Sequence, residues 1–466
     1  MIFPPATTRW RLPDRARELT LYAAAAGLSV LVGASVVTDA RLARMLVLVP
    51  CLILALTIQP EKLFVAWLFC APIVQGASAG DHHGHVLYTI LFLGPPLIFA
   101  ARAATGALDL CGLWVIDALP ALYVGWILVS VHLLGSEFQG GSSSLRAVYI
   151  VVGIGIIAYY LTALGRTSDR FPIAVAGSLL WSGVVVALLA LVDAATHWNP
   201  WNTTIGGTGQ VRRVASTLGG PVPLGTYLGA GVAFALAILL WKGPRSLRLP
   251  ATLLIGLSVP ALYFTYTRGP ILAIAGVSVF MALVANRARW PSLLAFAMVG
   301  VLVFAAWGHI SSSAIYKERL GVTGTISTRE KIQHESIRFF KQKPLFGWGY
   351  NTFDQLRGIL PTRNPQIQNI TSHDTYLTVL VELGVIGLGL LVLPWVVISQ
   401  RALAAARRGL VEPWIVAGCV GTAVSFWIGA LTYDARFFPL SSALPWITLG
   451  LARSTLRKSI AGTETT

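Results

Sequence analysis

Long apolar runs separated by short, mostly basic connections recur along almost the entire chain. A helix needs roughly 20 mainly apolar residues to cross a bilayer, and runs of suitable length fall at 19–37, 44–59, 62–77, 86–101, 113–134, 147–164, 173–195, 222–241, 249–266, 270–286, 291–308, 373–398, 412–432 and 437–453. The pattern predicts an all-α, polytopic transmembrane helix bundle of about 12–14 helices, the lower number applying if two of the early segments are re-entrant or fused. Arg9, Arg11, Arg15 and Arg17 precede the first run as they would in a secretory signal, but that run is long for one and further spans follow, so it reads as a retained helix. One extended polar stretch, from His309 to Ser372, interrupts the series, and loops of that length are usually functional. Within it, Thr328 to Lys343 reads as a surface helix with Ile332, Ile337, Phe339 and Phe340 as its apolar points and Pro344 beyond its end.

Composition agrees with this pattern: 55% of the 466 residues are hydrophobic and 12% charged, too few charges for the surface of a soluble protein of this length. The net charge of +16 would suggest nucleic acid in a soluble chain, but here the basic residues sit mainly between spans, where they fix orientation. One set of connections holds the four N-terminal arginines with Lys62, Arg102, Arg166, Arg170, Lys242, Arg245, Arg248, Arg287, Arg289, Arg401, Arg407, Arg408, Arg453, Arg457 and Lys458. The opposite set, outside the long loop, holds Arg41, Arg44, Arg146, Arg212, Arg213, Arg268 and Arg436. Basic residues near span ends stay in the cytoplasm, which predicts cytoplasmic termini and an extracytoplasmic long loop. That loop has nine lysines and arginines against four acids. Long loops translocate regardless of charge, so the excess asks for an anionic partner, either lipid headgroups or a phosphate ligand.

Cys51, Cys70, Cys111 and Cys419 are widely spaced within or beside apolar runs and read as small core residues. Asp81-His82-His83-Gly84-His85 fits no standard metal spacing and reads as a hydrated loop. No Walker A or HExxH sequence is present; no metal site and no cofactor are expected.

Candidate chemistry gathers at the outer ends of the spans. Tyr266-Thr267-Arg268-Gly269-Pro270 is a tight turn that leaves Arg268 near the membrane boundary, where an ionisable group is costly and usually functional; a snorkelling arginine is the plainer reading. Guanidinium presents a planar donor fork matched to phosphate oxygens. Arg212 and Arg213 precede Ser216-Thr217-Leu218-Gly219-Gly220-Pro221, whose turn residues let backbone come close to a ligand. Ser372-His373-Asp374-Thr375-Tyr376-Leu377 opens a later span. A neutral imidazole there can accept a proton from a sugar hydroxyl near neutral pH, and Asp374 suits a helix first turn. Glu382, deeper in that span, is an intramembrane acid that could orient a partner or pair with another helix. Asp434 and Arg436 read as a structural ion pair.

In chain order these pieces resemble the O-antigen ligase and polymerase superfamily of bacterial membrane glycosyltransferases. The resemblance rests on Arg213 to Thr217, Thr267-Arg268-Gly269, the Pro344 to Phe353 stretch with its Gly347-Trp348-Gly349, and His373 to Gly387, and is strongest from Arg212 to Gly387. It implies a GT-C-like fold and transfer of a glycan from a polyprenyl (undecaprenyl) diphosphate to an acceptor hydroxyl, either another glycan or lipid A core. In that reading Arg213 and Arg268 hold the donor phosphates with Arg329 as a third anion contact, His373 is the base and with Arg268 forms the catalytic pair, and Arg212, Asp374 and Tyr376 line the substrate site. Residues 1–200 would then be N-terminal helices, 201–453 the catalytic membrane region with loop 309–372, and 454–466 a cytoplasmic tail. Three departures bear on the substrate: Gly219-Gly220-Pro221-Val222-Pro223 replaces a Gly-Asn-Pro-Asn run, Asp374 replaces asparagine, and Gln333 and His334 stand where an aromatic is expected after Arg329. A carrier or flippase of lipid-linked glycans is the alternative from another class; such proteins often show paired broken helices in two halves, and no internal repeat is visible in this sequence.

Overall fold

The computed structural model describes residues 59–76, 92, 94–103, 106, 108, 114–134, 153–165, 167–201, 213–284, 324–359, 372–434 and 438–464. The chain divides into two compact units, residues 1–60 and 61–466, and the description concerns the second. Its helices are α1 (Pro60–Val74), α2 (Ala118–Val129, entered by a 3-10 turn at Val115–Asp117), α3 (Ile154–Leu164), α4 (Phe171–Thr196), α5 (Pro221–Leu240), α6 (Arg245–Thr265) and α7 (Arg268–Val284), followed by α8 (Gly324–Gln342), α9 (Phe353–Ile359), α10 (Thr375–Arg407), α11 (Pro413–Gly429) and α12 (Pro439–Glu464). No strand occurs among the described residues, as lipid requires of a chain that must satisfy its backbone within each span. Five of the described helices, α4, α5, α6, α10 and the continuous stretch containing α2, are long and apolar enough to cross a bilayer, and α3, α7 and α11 are shorter apolar helices.

Most of these elements lie where the apolar runs predict them, and α8 begins four residues before the expected surface helix. The expected spans at 19–37 and 291–308, all but the last residue of that at 44–59, the Asp81–His85 cluster, Arg212 and Arg436 lie outside the described residues. The last helix continues to Glu464, through the stretch expected to be a tail.

The bundle packs α3 on α12, α5 on α6 and α11, α4 on α6, and α7 on α11. Apolar burial contributes little between helices in lipid, so close packing has to hold them. A Cβ added at Gly450 would collide with the Thr162 side chain, so α12 and α3 meet nearly backbone to backbone.

The ends opposite the long loop are tied by a buried ion pair. Arg453 Nη2 lies 2.8 Å from Asp117 Oδ2, and neither side chain is exposed. Asp117 also accepts from Tyr159 Oη at 2.6 Å and from the Trp114 amide at 2.8 Å, while the Arg453 guanidinium sits 3.4 Å over the Trp114 ring. This cluster joins the start of α2 to α3 and α12.

α10 is broken. Gly384 takes φ 68 and ψ −170, a conformation that L side chains rarely adopt. The break frees the carbonyls of Val381, Glu382 and Leu383 from their normal helical donors. Each is satisfied elsewhere: Trp348 N donates to Val381 O at 3.0 Å, Gly349 N to Glu382 O at 2.8 Å, and Trp126 Nε1 of α2 to Leu383 O at 3.1 Å. Below the break, Val385 N donates to Pro344 O at 2.9 Å and Ile386 N to Leu345 O at 3.4 Å. The segment after α8 is therefore laid against α10 by backbone hydrogen bonds.

Candidate functional site

Chain direction brings the candidate residues to one end of the bundle. α6 ends at Thr265 and α7 begins at Arg268; between them Tyr266 takes φ 49, the left-handed turn that reverses the chain. Gly269 packs so closely on Thr432 that a Cβ there would strike its side chain. The same turn after α11 receives the start of α10: Thr375 N donates to Ala430 O at 2.9 Å and Thr375 Oγ1 to Tyr433 O at 2.8 Å. Arg268 and His373 thus stand on the same side and flank one short turn, residues 430–434.

Arg213 joins them from a third element. Its Nε donates to Thr265 O at 3.1 Å, and Val214 N donates to Phe264 O at 3.1 Å, which fixes the arginine beside the α6–α7 turn. The side chains of the residues that follow turn into the bundle. Ser216 and Thr217 are fully buried, and their hydroxyls donate to Val186 O at 3.0 Å and Pro72 O at 2.9 Å. Asp193, buried near the end of α4, accepts from the Ser216 amide and from Asn199 Nδ2, each at 3.3 Å. The stretch is an internal brace for Arg213.

Arg329 arrives on α8. Its side chain reaches solvent, yet the protein around it and, secondarily, the Arg268 guanidinium lower its pKa from the ordinary arginine value. The Arg268 contribution is that of a like charge carried on α7. Like charges held together by packing are unfavourable unless an anion relieves them.

His373 is half-buried and takes φ 51, the left-handed region that few non-glycine residues adopt and in which histidine, like asparagine, is enriched. The Asp374 carboxylate caps α10, accepting from Tyr376 N at 2.9 Å and Leu377 N at 3.1 Å. Burial first, and the nearby Asp434 carboxylate second, raise the Asp374 pKa against the lowering effect of those two amides. The Tyr376 hydroxyl donates to Trp427 O at 2.8 Å and its ring packs on Trp427, which ties α10 to α11. Asp434, only 2% exposed, belongs to the site's surroundings, a position that the sequence pairing with Arg436 hides. An acid at the end of an apolar run is the signal that points to it. Among the described residues no group of three or more His, Cys, Asp or Glu side chains is placed to hold a metal ion.

The raised Asp374 pKa has a testable sign. The folded protein holds this proton more tightly than the unfolded chain, so the stability linked to the group is greatest below the ordinary aspartate value and falls as pH rises through the folded value. Asp374→Asn keeps an oxygen to cap α10 and removes the buried charge. Unfolding midpoints of the variant should be no lower than wild type at neutral pH, and the fall across that acidic window should flatten; a clear loss at neutral pH would show that the carboxylate's charge is needed for the cap.

An all-helical, polytopic membrane bundle is the class of protein that this fold defines. Residues 253–392 match the O-antigen ligase family, so that part of the chain is similar to members of that family. The matched segment runs from α6 through Arg268, Arg329 and His373 into α10, and Arg213 precedes it. No curated protein matches the chain.

Proposed function

We propose that the protein transfers a glycan from a polyprenyl (undecaprenyl) diphosphate carrier to an acceptor hydroxyl at the extracytoplasmic face, as an O-antigen ligase or a polysaccharide polymerase. The observation that carries this reading is the gathering of Arg213, which donates to Thr265 O, Arg268 and His373 around the α6–α7 turn and the 430–434 turn packed on it; the like-charge influence of Arg268 on Arg329 agrees with it. Two or three fixed cations of this geometry suit a diphosphate, whose oxygens they can grip bidentately. The acceptor oxygen attacks the anomeric carbon and the bond from that carbon to the diphosphate oxygen breaks. The acceptor proton passes to His373, and the polyprenyl diphosphate leaves with its negative charge held by the arginines. The reading is metal-independent, since guanidinium groups supply the charge that a divalent ion would otherwise bring, and turnover should persist in excess chelator. The distribution of loop lysines and arginines supports an outward-facing site with both termini cytoplasmic and residence in a bacterial inner membrane.

The test is transfer by purified protein given a polyprenyl-diphosphate oligosaccharide together with lipid A core, or with the same donor as acceptor; the product distinguishes ligase from polymerase. Arg268→Lys keeps the charge and loses the fork, so the donor KM should rise about tenfold or more. An unchanged KM would remove Arg268 from the donor site, and no transfer to either acceptor would overturn the reading.

A further inference from the structure

Glu382 has no role in the chemistry just described, yet it is a buried acid, 1% exposed, within an apolar helix. Its oxygens accept from two backbone amides of the long loop, Asn351 N at 2.9 Å and Phe353 N at 3.1 Å. Phe353 opens α9, so the carboxylate sits where a helix start has unsatisfied donors and positive dipole. A charge in such surroundings is tolerated only when fully hydrogen-bonded.

The acid lies two residues before the α10 break, and the break is shaped to the loop. A Cβ at Gly347 would overlap the Glu382 carbonyl, and one at Gly384 would overlap the Leu345 carbonyl. The two backbones are in direct contact, and each needs glycine to approach the other. Around the contact Ile332, Phe339, Phe353, Leu356 and Val381 form a separate small core, uniting α8, α9 and the first half of α10. The Trp348 indole ties this turn to α8 through Phe339 O at 3.0 Å, and the Ser130 hydroxyl accepts the Tyr350 amide at 3.2 Å. Arg329 and His373 are thus carried by the two parts that the carboxylate joins.

We propose that Glu382 is a positioning residue: its carboxylate locks the long loop onto the broken helix and so sets Arg329 in register with Arg268 and His373. The functional part of this rests on the donor-binding reading above. Neutral Glu382→Gln keeps the side-chain volume but can accept only one of the two amides and turns an N–H toward the other. The donor KM should rise about tenfold, the size of one lost charge-assisted hydrogen bond, with kcat within about twofold. On an Arg329→Ala background the same change should add less than about twofold, because its route to the donor is already gone.

The mechanical part is read without activity, by spin labels at Lys331→Cys and Arg407→Cys, both exposed, in full-length protein otherwise free of cysteine. Glu382→Gln should broaden or shift the distance distribution. If no donor is turned over by wild type, the glycosyl-transfer reading fails while the spin-label arm still decides the lock. An unchanged distribution, or a KM effect that multiplies in full with Arg329→Ala, overturns the proposal. Should Glu382→Gln not fold, Glu382→Asp, which keeps the charge and shortens the reach, carries the same measurements.

Discussion

His373→Ala is expected to lower turnover by about 10²–10⁴, the usual contribution of a positioned general base, while donor binding changes little. His373 precedes α10, on a different element from the arginines, so its loss removes the proposed proton acceptor and leaves the proposed anion grip. Backbone strain complicates this substitution, since position 373 has φ 51 and alanine tolerates that state poorly. Asparagine is several-fold enriched there and cannot act as a base. His373→Asn should therefore be as inactive as His373→Ala and no less stable. Donor retention measured by competition or co-purification, set beside single-turnover transfer, checks both. If either variant keeps more than about a tenth of wild-type turnover, His373 is not the base.

The second large effect concerns the fold. Removing one member of a buried ion pair strands a charge where no water reaches it and costs about 3–5 kcal/mol. Arg453→Met leaves the Asp117 carboxylate to the Tyr159 hydroxyl and the Trp114 amide, and α2, α3 and α12 lose their shared anchor. The double variant Asp117→Asn, Arg453→Met leaves an amide oxygen for Tyr159 and no net charge, and should recover more than half of the loss, as replaced pairs often do. Unfolding midpoints in detergent, with folded yield as a second readout, decide this. Losses below about 1 kcal/mol in the single variant would mean that the pair is solvated in the membrane-embedded protein.

Spans were legible because lipid imposes a length and a polarity on each helix: the apolar run 222–241 corresponds to Pro221–Leu240, and 249–266 to Arg245–Thr265. Arg268, Arg329 and His373 were legible as ionisable residues at helix boundaries in a recognisable order. What the sequence concealed depends on distant partners. Arg453 reads as one more basic residue past a span end, and only the fold brings Asp117 to it across 336 positions. Glu382 reads as an acid with an unassigned partner, because its acceptors' donors are loop amides that any residue type could supply. The seven-residue α9 is too short for periodicity to reveal, and it contains Gly358. Ser216 and Thr217 were misleading for a related reason: small polar residues beside glycines suit a ligand loop and an internal brace equally well, and burial alone separates the two.

The interruption at Gly384 also bears on how the protein meets membranes of different thickness. A continuous rod of 33 residues would pass any change of tilt from one end to the other. With the hydrogen-bond ladder cut after nine residues, the remaining length can lean to match the hydrocarbon layer while the opening turns stay fastened to their neighbours. Variation in lipid chain length should then register as reorientation of the lower rod, with little change in the geometry around His373.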